Sequence, residues 1–274
     1  MKLKGKTAIV TGGAMGIGLE TSKILVKEGC AVTIWDINEN ELSKAKEFLE
    51  KEGGKVFVHL CDVTNLQRIT ELKDMAISEM GRIDILINNA GYVKGGELLA
   101  QPVEIWEKTV DVNLNSIIKT THTILPHMYE NNSGHVVNIS SAAGLLGVPD
   151  LSVYTATKWA VWGFTESMRC EARNKGKHGV KWSSVHPMFI ATGMFEGSKL
   201  GFLGRLIAPN VKSHDVIAKA IVYGAIIKGK YAVRRPRTLR LTIILRGILP
   251  DYIFQKMMLM MGVNKSMKTW KGRS

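Results

Sequence analysis

Short apolar runs alternate with amphipathic stretches along this chain from its first few residues. Runs rich in β-branched and other apolar residues near 6–11, 30–35, 55–61, 83–88, 134–140, 180–186 and 230–233 predict strands. Between them, apolar positions at helical spacing near 17–28, 39–52, 65–80, 102–130, 152–174 and 214–227 predict helices. A run such as Ile83-Asp84-Ile85-Leu86-Ile87 puts apolar side chains on both faces of its strand, as in a parallel sheet covered on both sides. Strands alternating with helices imply right-handed crossovers and an α/β fold built on a doubly wound parallel sheet. Ligands of such sheets sit at the C-terminal strand ends. The 274 residues could form one large domain or two small ones. No linker composition appears before about residue 234, so a single domain over 1–233 is expected, followed by an extension over 234–274.

The strand ends carry the candidate chemistry. The first strand runs through Ile9-Val10-Thr11 into Gly12-Gly13-Ala14-Met15-Gly16-Ile17-Gly18, and a helical pattern follows. Glycines let a backbone turn tightly and approach a ligand. The helix start then offers N–H groups and a positive dipole end to a pyrophosphate. The Gly-x3-Gly-x-Gly spacing departs from the common Gly-x-Gly-x-x-Gly fingerprint, and a glycine turn alone is a weak signal. The second strand ends at Asp36, eighteen residues beyond Gly18. A carboxylate there can accept hydrogen bonds from the adenosine ribose and repel a 2′-phosphate. No Arg or Lys stands in the turn or directly after Asp36, which points to NAD rather than NADP. The plainer alternative is that Asp36 only opens a turn before Asn38.

Tyr154 and Lys158 stand at i and i+4, with Ser141 thirteen residues before the tyrosine. On a helix the two share a face. A phenol titrates near ~10, and a neighbouring cation lowers that value. Reaching about 7 would take about 4 kcal/mol, which a lysine and a second positive charge could supply together. Taken singly, Tyr154 reads as a packing tyrosine and Asn113 as an ordinary helix residue. It is their combination that speaks for chemistry.

Together these stretches resemble the short-chain dehydrogenase/reductase family over residues 5 to 233. Thr11-Gly12-x3-Gly16-x-Gly18 resembles its cofactor turn, and Asn88-Asn89-Ala90-Gly91 its strand-end motif. Asn113, Ser141, Tyr154 and Lys158 resemble its catalytic tetrad. One departure is Pro187-Met188, where the family has Pro-Gly; Thr192 follows at the usual distance. The resemblance implies a Rossmann-type sheet and a proton exchanged between Tyr154 and a substrate oxygen held by Ser141, rather than by the adjacent Ser140. It implies that Lys158 tunes the phenol and holds the nicotinamide ribose, and that Asn113 positions a water linking Lys158 to solvent. It sets Asp62-Val63 against the adenine, although Asp62 or Thr64 could equally cap the next helix. Asn88, Ala90 and Gly91 are expected along the adenosine and ribose, and Thr192 on the nicotinamide carboxamide. The cofactor-binding set so implied is Gly12, Met15, Gly16, Ile17, Gly18, Asp36, Asp62, Val63, Asn89, Ala90, Gly91, Tyr154, Lys158, Pro187, Ile190 and Thr192. A homodimer or homotetramer through the helices near 102–130 and 152–174 is also implied.

Composition adjusts the picture at the edges. Cys30, Cys61 and Cys170 are odd in number and lie in apolar segments, which predicts buried free thiols in a reducing compartment. His59, His122 and His127 lack ligand spacing, so no metal is expected. The first strand pattern begins within about six residues, leaving no room for a signal peptide. No uncharged apolar run reaches the roughly 18 residues of a membrane span. A cytoplasmic protein is expected, in contact with a membrane at most peripherally. Residues 193–213 mix glycines with apolar groups and read as a substrate lid. Leu145, Leu146, Val148 and Leu151 add apolar surface before Tyr154, with no cation in that loop to hold an anionic substrate. The substrate expected is a lipophilic alcohol or ketone: a hydroxysteroid, bile acid, retinoid or long-chain lipid. The alternatives are a small polar keto compound or sugar, or a non-catalytic NAD-binding scaffold.

The segment 234–274 holds ten Lys/Arg and one acid, Asp251, and so carries +9 of the chain's formal +13. Apolar residues interleave with the charges, and Pro250 should divide the segment into two short helices. Such helices suit an anionic membrane surface, and equally suit docking onto the enzyme or a partner subunit. Too few aromatic residues accompany the charges for nucleic-acid binding.

Overall fold

Seven strands form one sheet in the order β3-β2-β1-β4-β5-β6-β7, every neighbouring pair parallel. The computed structural model describes residues 1–190, 192–268, 270 and 272. The strands are β1 (Thr7–Thr11), β2 (Ala31–Asp36), β3 (Val56–Leu60), β4 (Ile85–Asn88), β5 (Gly134–Ile139), β6 (Val180–Pro187) and β7 (Ala232–Arg235). Each lies within a residue or two of a predicted run. The helices between them are α1 (Gly16–Lys27), α2 (Glu39–Lys51), α3 (Leu66–Met80), α4 (Val103–Val110), α5 (Ser116–Glu130), α6 (Ser152–Asn174), α7 (Phe202–Ile207) and α8 (His214–Lys219). After β7 come α9 (Leu239–Ile248) and α10 (Asp251–Met260), parted by Pro250 as the sequence predicts. No described helix is long and apolar enough to cross a membrane.

Alternate strand residues enter opposite apolar layers, as the two-residue period requires. Ile9, Leu86, Val136 and Trp182 pack with Ile69 and Leu72 of α3 and Ile124 and Met128 of α5. Ala8, Val10, Ile34, Ile87 and Val137 pack on the other face with Leu25 of α1, Leu42 and Leu49 of α2, and Ile217. That second layer extends into the segment beyond β7 through Phe254, Met258, Met261, Val263 and Met267. Docking of the 234–274 segment is therefore real on one of its faces. Lys271 and Arg273, two of its ten basic residues, lie outside the described residues.

Three details differ from expectation. The predicted helix 102–130 is two helices joined by a wider, π-type turn at Asp111–Asn115, and α8 continues into another at Ala220–Ile227. Such turns cluster at functional sites, and the first carries Asn113. Asn65, not Asp62 or Thr64, caps α3, its side chain accepting from Arg68 N–H at 3.0 Å. Asp62 instead accepts from the Thr64 amide and hydroxyl at 2.9 and 2.8 Å, which folds the turn one step earlier. Cys30 and Cys61 are buried, but Cys170 is exposed because it falls on the outer face of α6.

The sheet also buries two histidines. His135 on β5 shares a 2.8 Å hydrogen bond with Ser183, and His186 on β6 one of 2.9 Å with Ser184. Burial lowers His135 to about 4. Burial and the Arg234 charge lower His186 to about 3. An unfolded histidine titrates near ~6.5, so below that pH the unfolded chain binds protons that the native state refuses. Acidification from ~6.5 towards 4 is thus expected to lower the unfolding midpoint, and His135→Gln to make the fall shallower. Unfolding curves across this range with equal slopes for both proteins would contradict it.

Candidate active site

The sheet order reverses between β1 and β4, and the chain ends there are tied across the crevice. The Thr11 hydroxyl accepts from the Asn89 and Ala90 amides at 3.0 and 3.1 Å. The Asn89 side-chain amide donates back to the Thr11 and Gly12 carbonyls at 3.0 and 2.8 Å. The glycine turn fits under this clamp only without side chains. Gly12 has φ +59°, and a Cβ there would lie 2.8 Å from Ala90 Cα. A Cβ on Gly18 would overlap the Gly12 carbonyl oxygen and lie 2.7 Å from Asn89 Nδ2. Met15 at the N-cap of α1 offers no side-chain cap, so the helix start faces the crevice with its own amides and dipole.

A cavity of about 360 Å³ begins at this crevice. Asp36 lies at one end, buried, accepting from the Ala14 and Asn38 amides at 3.1 Å each. Gly12, Met15, Gly16, Ile17, Asp62, Val63, Asn89, Ala90 and Gly91 line its length. Ser141, Tyr154, Lys158, Pro187, Ile190 and Thr192 line its far end. Of the predicted cofactor set, Gly18 alone is not in this wall; it shapes the turn from behind. The donor-rich turn, the acidic end and the length of the crevice fit a dinucleotide.

Asn88 departs from expectation. It is buried away from the cavity, donating to Asn138 Oδ1 at 2.8 Å and to Thr121 Oγ1 at 3.2 Å, and accepting from Thr120 Oγ1 at 2.7 Å. Adjacent strand residues point to opposite faces, so when Asn89 meets the turn, Asn88 must face α5 and β5.

Tyr154, Thr157, Lys158, Val161 and Thr165 form the buried stripe of α6, which sets the phenol and the ammonium on the core-facing side. Tyr154 and Ser141 share the far wall of the cavity, and the serine hydroxyl acts on the phenol in the sense that favours the phenolate. Ser141 accepts from the Ala143 amide at 3.1 Å, so its own proton is the one it can offer to the Tyr154 oxygen or to a ligand oxygen. Ser140 is spent elsewhere, donating to the Lys158 carbonyl at 2.7 Å. Lys158 Nζ donates to the Ile139 carbonyl at 3.0 Å and stands 5.6 Å from the centre of the Tyr154 ring. Burial pushes Tyr154 up to about 12, opposed by the Ser141 hydroxyl. Burial brings Lys158 down to about 8. The protein's own groups therefore hold the phenol neutral, and the lysine by itself does not make it a base. Asn113 is fully buried, with Oδ1 accepting from Tyr92 N–H and Nδ2 donating to the Tyr92 carbonyl, both at 2.8 Å. Its side chain thereby fixes the loop after Gly91 beside Lys158.

The substrate end is apolar and partly new. Phe195 packs edge-on to Tyr154 at 5.6 Å between ring centres and against Phe189 at 5.4 Å. Tyr92, Val112, Met188 and Met194 complete the wall, and Lys108 at its rim lies 5.1 Å over the Tyr92 ring. Met188 is accommodated without strain: among described non-glycine residues only Asn132 and Asp150 have positive φ. His214, from the start of α8, also lines the cavity, close to Gly16 and Gly193. A single histidine after a serine carries no sequence signal, and Tyr92 and Lys108 were equally unmarked.

A family model described as short chain dehydrogenase matches residues 6–200. Epidermal retinol dehydrogenase 2 of Mus musculus is 36% identical over 250 residues, covering 90% of this chain and 79% of its own. A short chain dehydrogenase/reductase from Burkholderia phymatum, solved in complex with NAD, superposes with a TM-score of 0.82 at 25% identity, over 93% of this chain and 96% of that one. A metagenomic short-chain oxidoreductase in complex with NADP gives 0.70 at 27% identity, over 85% and 99%.

The clamp makes a direct prediction. Gly18→Ala should abolish dinucleotide binding, measured by titration of NADH fluorescence, and lower the unfolding midpoint. Gly163→Ala, whose added methyl meets nothing within 4 Å, should leave binding intact. Wild-type affinity in the Gly18 variant would overturn the account of the turn.

Proposed function

The chain belongs to the short-chain dehydrogenase/reductase family, and from that premise we propose that it is an NAD-dependent oxidoreductase interconverting a lipophilic alcohol and its carbonyl compound. Hydroxysteroids, bile acids, retinoids and long-chain lipid alcohols are the favoured substrates. The observation that carries the reading is the Ser141–Tyr154 pair at the end of a dinucleotide-shaped crevice, walled on its open side by Phe189, Phe195, Met188 and Met194. A relative named as a retinol dehydrogenase supports the lipophilic class. Asp36 supports NAD, because a 2′-phosphate would meet a buried carboxylate with Ile37, Asn38 and Glu39 following it and no cation among them.

Bound NAD supplies the hydride acceptor and, when oxidised, a positive ring that favours the phenolate. With substrate in place, Ser141 turns its proton from the phenol to the substrate oxygen and steadies the charge that develops there. Tyr154 exchanges a proton with that same oxygen, taking it during oxidation and returning it during reduction. Lys158 has three donors and spends one on Ile139, leaving two for ribose hydroxyls. Its ammonium near the phenol lowers the cost of phenolate in a site that burial otherwise makes hostile to charge. Asn113 anchors Tyr92, and the π-type turn around it leaves main-chain carbonyls without their usual helical partners. A water held there would pass protons between Lys158 and solvent.

Purified protein incubated with NAD⁺ and a panel of hydroxysteroids, bile acids, retinol and small secondary alcohols should form NADH with the lipophilic members. Tyr154→Phe should lose about 10²–10⁴-fold in turnover while binding NADH as the wild type does. Turnover retained in that variant would remove Tyr154 from the reaction, and turnover confined to small polar alcohols would remove the lipophilic assignment. Asp36→Ala should narrow the preference for NAD⁺ over NADP⁺ measured as a ratio of kcat/KM. An unchanged ratio would take the ribose from Asp36.

A further inference from the structure

Helices α7, α9 and α10 keep large apolar side chains in water. Phe202 is 70% and Leu206 68% exposed in α7, and Ile248 at the end of α9 is 73% and Met260 of α10 70% exposed. Exposed apolar residues scattered singly are ordinary, whereas a joined patch marks an interaction surface. These residues belong to one body. Gly204 in α7 lies so close to the end of α10 that a Cβ there would overlap the Met261 carbonyl oxygen. The Gly201 amide donates to that same carbonyl at 3.1 Å, and the Lys199 amide to the Ser266 carbonyl at 3.1 Å. Phe202 and Leu206 therefore flank one side of a seam, and Leu259 and Met260 the other. In α9, Leu239 and Thr242 are buried, while Leu241, Ile244 and Ile248 remain outside.

Positive charge surrounds this surface. Arg205, Arg237, Arg240, Lys256, Lys265 and Lys268 are all exposed. Among the described residues none of these cations is in an ion pair. Asp251 is the one acid of the segment beyond β7. A second copy meeting this face across a two-fold axis would bring like charges together, since such an interface pairs a patch with itself. A surface both oily and anionic has no such conflict.

We propose that α7, α9 and α10 form a single face that seats on a phospholipid bilayer with anionic headgroups, its apolar side chains in the interface and its cations among the phosphates. Binding of this kind grows with buried apolar area and with attraction to anionic lipid. The site lies directly behind the face. The expected lid, residues 193–213, carries α7 and sets Phe195 on Tyr154, and Trp270 Nε1 donates to the Met194 carbonyl at 3.0 Å. Met188 and Phe189 wall the catalytic cavity on one side and, on the other, a smaller apolar cavity beneath Met258 and Met261. A lipophilic alcohol would thus reach Tyr154 from the acyl region without crossing water; this last step rests on the substrate reading above, while the seating itself does not.

The test is flotation of the full chain, saturated with NADH, with vesicles of phosphatidylcholine alone or with added phosphatidylserine. Recovery should be at least about tenfold higher with phosphatidylserine. It should fall at least about tenfold in the double variant Phe202→Ser/Leu206→Ser and in Arg240→Glu/Lys256→Glu, all at exposed positions. Variant folding is checked by an unchanged NADH affinity. Absence of flotation, or flotation unaffected by either pair, overturns the proposal. So does a dimer in sedimentation that Phe202→Ser/Leu206→Ser converts to monomer without any vesicle binding, since a second copy would then own the face. Loss of flotation with turnover of lipophilic alcohols intact would leave the proposed activity standing, and the reverse result would leave the seating standing.

Discussion

The crevice between β1 and β4 is held open and in register by four hydrogen bonds between Thr11 and Gly12 on one side and Asn89 and Ala90 on the other. The connections leaving β1 and β4 run in opposite directions along the sheet, because the chain builds β2 and β3 outward from β1 before returning at β4. Everything the site needs is referred to that clamp. It places the glycine turn so close to Ala90 that a side chain is excluded, which bares the start of α1. It also carries the chain from Ala90 through Gly91 to Tyr92, whose backbone is gripped by Asn113. Lys158 and Tyr154 then approach the same point from α6.

Burial is the force that sets the chemistry. In an apolar enclosure the phenol resists ionising and the ammonium resists its charge, so the two move apart, the phenol up to about 12 and the ammonium down to about 8. The expectation that Lys158 and a second positive charge together lower the phenol has this desolvation to overcome as well. The site is thus arranged as a neutral acid beside a weakly held cation. In the proposed function a second positive charge, that of an oxidised nicotinamide ring, joins Lys158 in favouring the phenolate.

The segment beyond β7 is less an appendage than a packing layer behind Met188 and Phe189, which wall the apolar end of the cavity. Its buried methionines complete a core layer that starts under β1, and its backbone carbonyls hold the lid. Docking, one of two readings that the sequence leaves as rivals, is seen on one face of the segment, and the proposed membrane contact would use the other. One face of α9 and α10 is spent on the enzyme, and the opposite face remains apolar and basic.

Local pattern determined the seven strands, the helices between them, the break at Pro250 and the spacing that joins Ser141, Tyr154 and Lys158. These follow from periodicity, from proline's missing N–H and from motifs whose members lie within one or two elements. Tertiary structure alone decided which of two adjacent asparagines meets the turn, since Asn88 and Asn89 differ only in which face of β4 they occupy. It alone brought His214 to the glycine turn and seamed α7 to α10. Each of these depends on contacts between residues far apart in the chain, where side-chain direction and close backbone approach decide the outcome and composition carries no trace of either.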